Sequence, residues 1–173
     1  MQVDIRKWQI DDAEYLAQSL NNKKVMDNLR DGLPFPYTVE DAKSYINAML
    51  SADKNEVFAF AVTVNGVVAG NIGIFRQSNI HSKTAELGYY LGEEYWGKGI
   101  MTETVKKACA YVFENSDIVR IYAEPFARNI ASCRVLEKSG FEYEGTLKKN
   151  ALKNGIFEDM KMYALFSRKT ARR

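Results

Sequence analysis

The sequence predicts an α+β fold in which helices pack on a mixed, mostly antiparallel sheet. Seven β-rich runs are interleaved with helix-patterned segments in the order β-α-α-β-β-β-α-β-α-β-β. Grouped strands mixed with helices point to this class rather than to a repeating βαβ one. Two pairs of runs also meet at Asn65-Gly66 and at Lys153-Asn154-Gly155. Asn-Gly between β-rich runs is the strongest short hairpin signal. With 173 residues and no internal repeat or linker, residues 1–173 read as a single domain.

Val3 to Trp8 alternates, imperfectly, apolar with charged residues and reads as the first strand. Asp11 or Asp12 caps a helix with Ala13, Leu16, Ala17 and Leu20 on one face. A short helical piece around Val25 to Leu29 is broken by Asp31-Gly32-Leu33-Pro34-Phe35-Pro36-Tyr37, because two prolines and a glycine cannot continue it. Thr38 with Asp41 forms a capping box that opens a helix running to about Ser51. Val57 to Val64 and Val67 to Arg76 make the first hairpin, and Thr84 to Leu91 a further strand. Thr102 to Glu114 carries Val105, Ala108, Cys109, Val112 and Phe113 at helical spacing. Val119 to Glu124 reads as a strand, and Asn129 to Ser139 as a helix stopped by Gly140. Phe141 to Leu152 and Ile156 to Phe166 form the last hairpin.

Hydrophobic residues make up 46% of the chain and charged residues 27%, an ordinary globular balance. A net charge of +2 gives no support to a nucleic-acid partner, and Arg168 to Arg173 reads as a solvated basic end. Cys109 and Cys133 lie on helical apolar faces as core thiols rather than as a redox or metal pair. The single histidine, His81, sits in a polar loop, which excludes a His-rich metal site and leaves histidine triads without support. The start lacks a signal-peptide pattern, and no apolar run approaches the roughly 20 residues of a membrane span. These readings give an expectation of a cytoplasmic protein with no membrane partner and no metal.

The chemistry concentrates in Trp96-Gly97-Lys98-Gly99-Ile100-Met101-Thr102, where a strand passes through a glycine turn into a helix. A helix start offers backbone N–H groups without internal partners, and its dipole favours negative charge. Glycines let the backbone close around an anion. The turn lacks the Gly-Lys-Ser/Thr ending of a P-loop and the third glycine of the dinucleotide fingerprint. Alone, it says only that an anion can bind there.

Glu86-Leu87-Gly88-Tyr89-Tyr90-Leu91, followed by Tyr95-Trp96-Gly97-Lys98-Gly99-Ile100-Met101-Thr102-Glu103, resembles the acetyl-CoA motif of the GNAT acetyltransferase superfamily. It is most similar to the ribosomal-protein alanine/serine N-terminal acetyltransferases. A second block agrees: Arg120-Ile121-Tyr122-Ala123-Glu124, then Asn129-Ile130-Ala131-Ser132-Cys133-Arg134-Val135-Leu136-Glu137-Lys138-Ser139-Gly140-Phe141. So do Val39-Glu40-Asp41-Ala42 after Pro34 to Tyr37, and Asn154-Gly155 with Asp159 and Tyr163. The resemblance covers nearly the whole chain in the expected order. It implies a three-layer α/β/α arrangement in which two central parallel strands, ending near Leu91 and Glu124, splay to admit the pantetheine of acetyl-CoA.

The resemblance further implies direct attack of an amine on the thioester. Tyr90, Leu91, Trp96, Gly97, Lys98, Gly99, Ile100, Met101, Thr102, Asn129 and Ser132 would hold the cofactor, and the Leu91 N–H would steady the oxyanion. Met101 departs from the small residue usual at its place, a change tolerated if the side chain points away from the phosphates. Leu136 stands where many relatives carry the acidic Tyr, so Ser132, one helical turn after Asn129, becomes the proton donor for the thiolate. Glu86 is the candidate base, with loss of the proton through water as the alternative. Where some relatives carry a carboxylate on a later strand, this chain has Ala151. Tyr89 and Tyr90 face opposite sides of their strand. Tyr89, with Phe35 and Tyr37 from the Pro-rich loop, is assigned to the acceptor groove. The acceptor is an amine, either a peptide N-terminus or a small molecule such as a polyamine, aminoglycoside or amino acid. A non-catalytic acyl-CoA-binding module is the other reading. The chain is expected to be a monomer or homodimer.

Overall fold

The computed structural model describes residues 1–169, and most of the basic end, residues 170–173, lies outside it. The strands are β1 (Val3–Arg6), β2 (Val57–Val64), β3 (Val67–Arg76), β4 (Thr84–Leu91), β5 (Arg120–Ala123), β6 (Glu142–Lys153) and β7 (Ile156–Phe166). The helices are α1 (Ala13–Leu20), α2 (Lys23–Met26), α3 (Val39–Ser51), α4 (Ile100–Asn115) and α5 (Ile130–Lys138). The strands form one sheet in the order β1-β2-β3-β4-β5-β7-β6, antiparallel except for the β4–β5 pair. Apolar faces of α4 and α5 cover one side of the sheet, while α1, α2 and α3 cover the other. This is the three-layer, mixed seven-stranded arrangement expected from the sequence.

Local chemistry sets the boundaries. Asn65 (φ 49°) and Gly66 (φ 83°) both occupy the left-handed region, as a two-residue hairpin turn requires. The Thr38–Asp41 capping box is formed, with the Asp41 N–H donating to the Thr38 hydroxyl at 3.1 Å and the Thr38 N–H to the Asp41 carboxylate at 2.8 Å. Two expectations are corrected. Asp12 does not cap α1 with its side chain. It turns back to accept two hydrogen bonds from Arg6 at 2.8 Å and one from the Gln9 N–H at 2.9 Å, and a short 3-10 turn precedes the helix. Helix α4 begins at Ile100 rather than near Thr102, because Gly99 takes a left-handed conformation and serves as its N-cap. Cys109 and Cys133 are buried free thiols, and burial pushes Cys109 up to about 12. Among the described residues, no helix is long and apolar enough to cross a membrane.

The feature that positions the site is an interrupted pairing. β4 and β5 pair only through Thr84–Arg120, Ala85–Ile121 and Glu86–Tyr122. β4 then continues beside β3 as far as Leu91 opposite Gly70. The chain after β5 instead follows β7: Lys161 N–H donates to the Pro125 carbonyl at 3.0 Å and Ala127 N–H to the Asp159 carbonyl at 2.8 Å. The Pro125 carbonyl thus faces β7, and the parallel pairing with β4 is not resumed beyond Glu86–Tyr122.

Candidate active site

The separation of β4 from the chain after β5 opens a cavity of about 610 Å³. Its walls are the end of β4, the glycine turn, the start of α4, the segment after β5 and the start of α5. The Gly92 N–H donates to the Ala69 carbonyl on the β3 side. Successive residues of a strand point their N–H groups to opposite edges, so the N–H groups of Leu91 and Tyr89 face the gap. Gly97 and Gly99 have φ of 73° and 75°, and neither has crowded surroundings that would themselves demand a glycine. Backbone conformation requires them, and it turns successive N–H groups toward one place at the helix start.

Around this turn the sequence-derived residues divide. Thr102 and the backbone of Gly97, Lys98 and Gly99 line the cavity. The side chains of Ile100 and Met101 are buried in the core, so the long Met101 side chain leaves the turn unobstructed. Trp96 does not aim its indole N–H at an anion; it donates to the Leu91 carbonyl at 2.9 Å and ties the turn to the end of β4. Lys98 donates to the Glu94 carbonyl at 2.7 Å. Free first-turn N–H groups together with an unpaired strand edge fit an extended ligand that carries both phosphates and amides.

On the α5 side, Asn129 caps the helix by accepting the Ser132 N–H at 3.2 Å. The Ser132 and Tyr89 hydroxyls lie 2.8 Å apart. Burial pushes the Tyr89 hydroxyl well above its ordinary range, with its Ser132 hydrogen bond opposing. The Tyr89 hydroxyl is therefore directed to Ser132, while the residue also lines the second, adjoining cavity. Tyr90, assigned to the cofactor, points the other way and shares a 3.2 Å hydrogen bond with Ser19 in the α1 layer. Strand alternation separates the two tyrosines but does not say which helical layer each meets.

The opposite face carries an acidic cluster. Glu86 on β4, Tyr122 on β5 and Glu124 just after it project the same way, since they sit at alternate positions of paired strands. Arg30, from the segment after α2, pairs with Glu86 and reaches Glu124 at 3.4 Å. The Tyr122 hydroxyl donates to Glu86 at 3.4 Å. Burial raises Glu124 above the usual carboxylate range, the neighbouring Glu86 adds to the shift, and Arg30 opposes it. Tyr122 is pushed up to about 12 by burial and by the two carboxylates. The Arg30 segment is clasped in place: Arg128 donates to the Asp27 carbonyl at 2.6 Å and to Asn28 at 2.9 Å, and Lys153 donates to Asp31 at 2.6 Å.

A second cavity, about 460 Å³, adjoins the first, and Leu29, Arg30, Phe75, Gly88, Tyr89 and Tyr90 belong to the walls of both. Tyr37 lines it and is held by Asn21, which accepts the Tyr37 N–H at 2.8 Å and donates to its carbonyl at 2.6 Å. Phe35 departs from the sequence assignment: it is 66% exposed and lines neither cavity. Its position between two prolines carries it over the outside of the loop.

A model of the acetyltransferase (GNAT) domain matches residues 2–142. The chain belongs to that family. The probable N-acetyltransferase YjcK of Bacillus subtilis (strain 168) is 35% identical over 134 residues, covering 76% of this chain and 74% of the relative. The spermidine N(1)-acetyltransferase of Escherichia coli (strain K12) is 27% identical over 164 residues, covering 95% and 86%. Among solved structures, the ribosomal-protein-S5-alanine acetyltransferase from Vibrio fischeri superposes with a TM-score of 0.86 at 25% identity, covering 97% of this chain and 94% of that one. As a GNAT enzyme the protein is an acetyl-CoA-dependent N-acetyltransferase.

Sequence reasoning passed over Arg30, Gly88 and the role of Glu124. Glu124 had a usable signal, since Tyr122 and Glu124 share the strand parity that faces Glu86. Arg30 had none, because it lies in irregular chain and meets its partners only through the fold.

Proposed function

We propose that the enzyme acetylates a primary amine at a peptide or protein N-terminus by direct attack. The observation that carries this reading is the unpaired edge of β4 lying between two different proton-handling groups. The Glu86/Glu124 cluster is on one side and the Ser132/Tyr89 pair on the other. The acceptor enters on the carboxylate side, where a cation is attracted and the raised Glu124 takes its proton. The Leu91 N–H donates to the carbonyl oxygen as negative charge develops. Ser132, backed by the Tyr89 hydroxyl, gives a proton to the departing sulfur. Bound acetyl-CoA supplies the acetyl thioester. The N–H groups from Gly97 to Thr102 would hold its pyrophosphate, while Asn129 and the open edge of β4 would hold its amides.

The likeness to ribosomal-protein acetyltransferases supports a peptide acceptor. The likeness to a spermidine acetyltransferase favours a polyamine as the second reading. The reading retains the cytoplasmic location, the single domain and the monomeric or homodimeric state expected above. Incubation with acetyl-CoA and peptides bearing free or blocked N-termini tests it, with thiol release and peptide mass as readouts. Acetylation confined to free N-termini is expected, whereas acetyl-CoA binding without turnover on any amine would mean a binding module. Ser132→Ala should lower kcat about tenfold or more while acetyl-CoA affinity holds, as for loss of a proton donor. An unchanged kcat would remove Ser132 from the chemistry.

A further inference from the structure

Gly88 is the unexplained residue of β4. Its φ lies outside the left-handed region, and a Cβ built on it would meet nothing within 4 Å. Gly73, opposite it on β3, differs: a Cβ there would meet the Phe75 ring at 2.6 Å. Neither backbone conformation nor packing calls for a glycine at 88. A glycine in a strand interior weakens the strand and marks a place where something else approaches the backbone closely. Here the empty space lies on the face shared by Glu86 and Tyr90, where the two cavities meet.

The 460 Å³ cavity beyond Gly88 is apolar in character, with Leu20, Leu33, Tyr37 and Phe75 among its walls. The acidic residue on its rim, Asp31, is already bound by Lys153. At its mouth stand two carboxylates and one guanidinium, which leaves one negative charge to balance. One cation satisfies that cluster, and a second cation carried deeper would meet no counter-charge, since the unpaired Asn71 Oδ1 there is a neutral acceptor.

We propose that the cavity past Gly88 is a specificity pocket for an apolar group carried next to the reacting amine, so that the preferred acceptor is a singly charged primary amine with an apolar neighbour. This rests on the amine-acetylation reading and narrows its acceptor class. An N-terminal Leu, Met or Phe residue meets the description, as does the corresponding amino-acid amide. Spermidine does not, because its further charges have no counter-charge in the pocket beyond the neutral Asn71 Oδ1.

The test compares kcat/KM across peptides that differ only in the first residue, Gly, Ala, Leu or Phe. Leu and Phe amides and spermidine are run alongside. Leu- and Phe-headed peptides are expected to exceed the Gly-headed one about tenfold or more, the scale on which an apolar pocket discriminates. The amides should follow the same order, and spermidine should fall below them. Gly88→Val fills the doorway and Leu33→Trp fills the pocket from its outer wall. In each, the Leu-to-Gly ratio should fall toward one, with acetyl-CoA affinity serving as the folding control for Leu33→Trp. A flat or inverted ratio in the wild type, an unchanged ratio in both variants, or preference for spermidine would overturn the pocket while leaving amine transfer standing. Bound acetyl-CoA with no acetylation of any amine would overturn the transferase reading and the pocket with it.

Discussion

Two arginine–carboxylate clusters lie on the side of the sheet that α1 covers, and burial acts on both. At the first, Arg6 makes two 2.8 Å hydrogen bonds to Asp12, which also accepts the Gln9 N–H. Burial there would raise Asp12, but the Arg6 and Gln9 hydrogen bonds outweigh it and hold the carboxyl below its usual range. At the second, Arg30 is divided between Glu86 and Glu124, and Glu124 ends above the usual range. The contrast is one of stoichiometry. One guanidinium per carboxylate, bound bidentately, settles the charge and anchors β1 to α1. One guanidinium shared by two carboxylates leaves a site that still takes up a proton or a cation. The same residue types give a neutralised joint in one place and an incompletely neutralised cluster in the other.

Breaking the shared-arginine cluster has the largest expected effect. Glu124→Gln should lower kcat/KM for the acceptor by about 10²- to 10⁴-fold, the range for loss of an acid–base group. Its thermal midpoint at neutral pH should not fall, as calorimetry would show. A carboxyl whose folded value is raised contributes stability only at low pH and loses it as pH rises through that value. Next comes Asp12→Ala, which leaves Arg6 half-buried without its partner. It should cost about 2 kcal/mol, or roughly 4–8 °C in thermal midpoint for a chain of this size, with turnover per folded molecule retained. The Asp12 contribution has the opposite pH sense: present above the ordinary carboxylate range, it is lost as pH falls through the lowered folded value. Acid titration of the wild type against Asp12→Ala should therefore show the two stability curves converging at low pH. The smallest effect belongs to Arg30→Gln, which removes the charge that restrains Glu124. The acidic limb of the kcat profile should move up by about half to one pH unit.

The two clusters also differ in how far the sequence announces them. Asp12 stood out as a cap candidate because it precedes an apolar helical pattern, although its side chain serves Arg6 instead. Strand and hairpin positions were legible where turn chemistry is local, as at Asn65-Gly66. The start of α4 was missed by two residues because Gly99 acts as a left-handed cap rather than as loop. Strand alternation separated Tyr89 from Tyr90, but the layer that each hydroxyl meets was not legible, since it depends on where distant helices pack. Arg30 was invisible for the same reason: its partners are brought to it by the sheet and by the Arg128 and Lys153 clasps, none of which leaves a local pattern.

In the proposed reaction Glu124, left raised by the unequal sharing of Arg30, takes the amine proton, and kcat at saturating acceptor measured against pH tests that most directly. The wild type should lose activity on acidification with an apparent pKa above the ordinary carboxylate range, and Glu124→Gln should lose both that limb and most of the rate. Superimposable profiles of equal height would contradict the account.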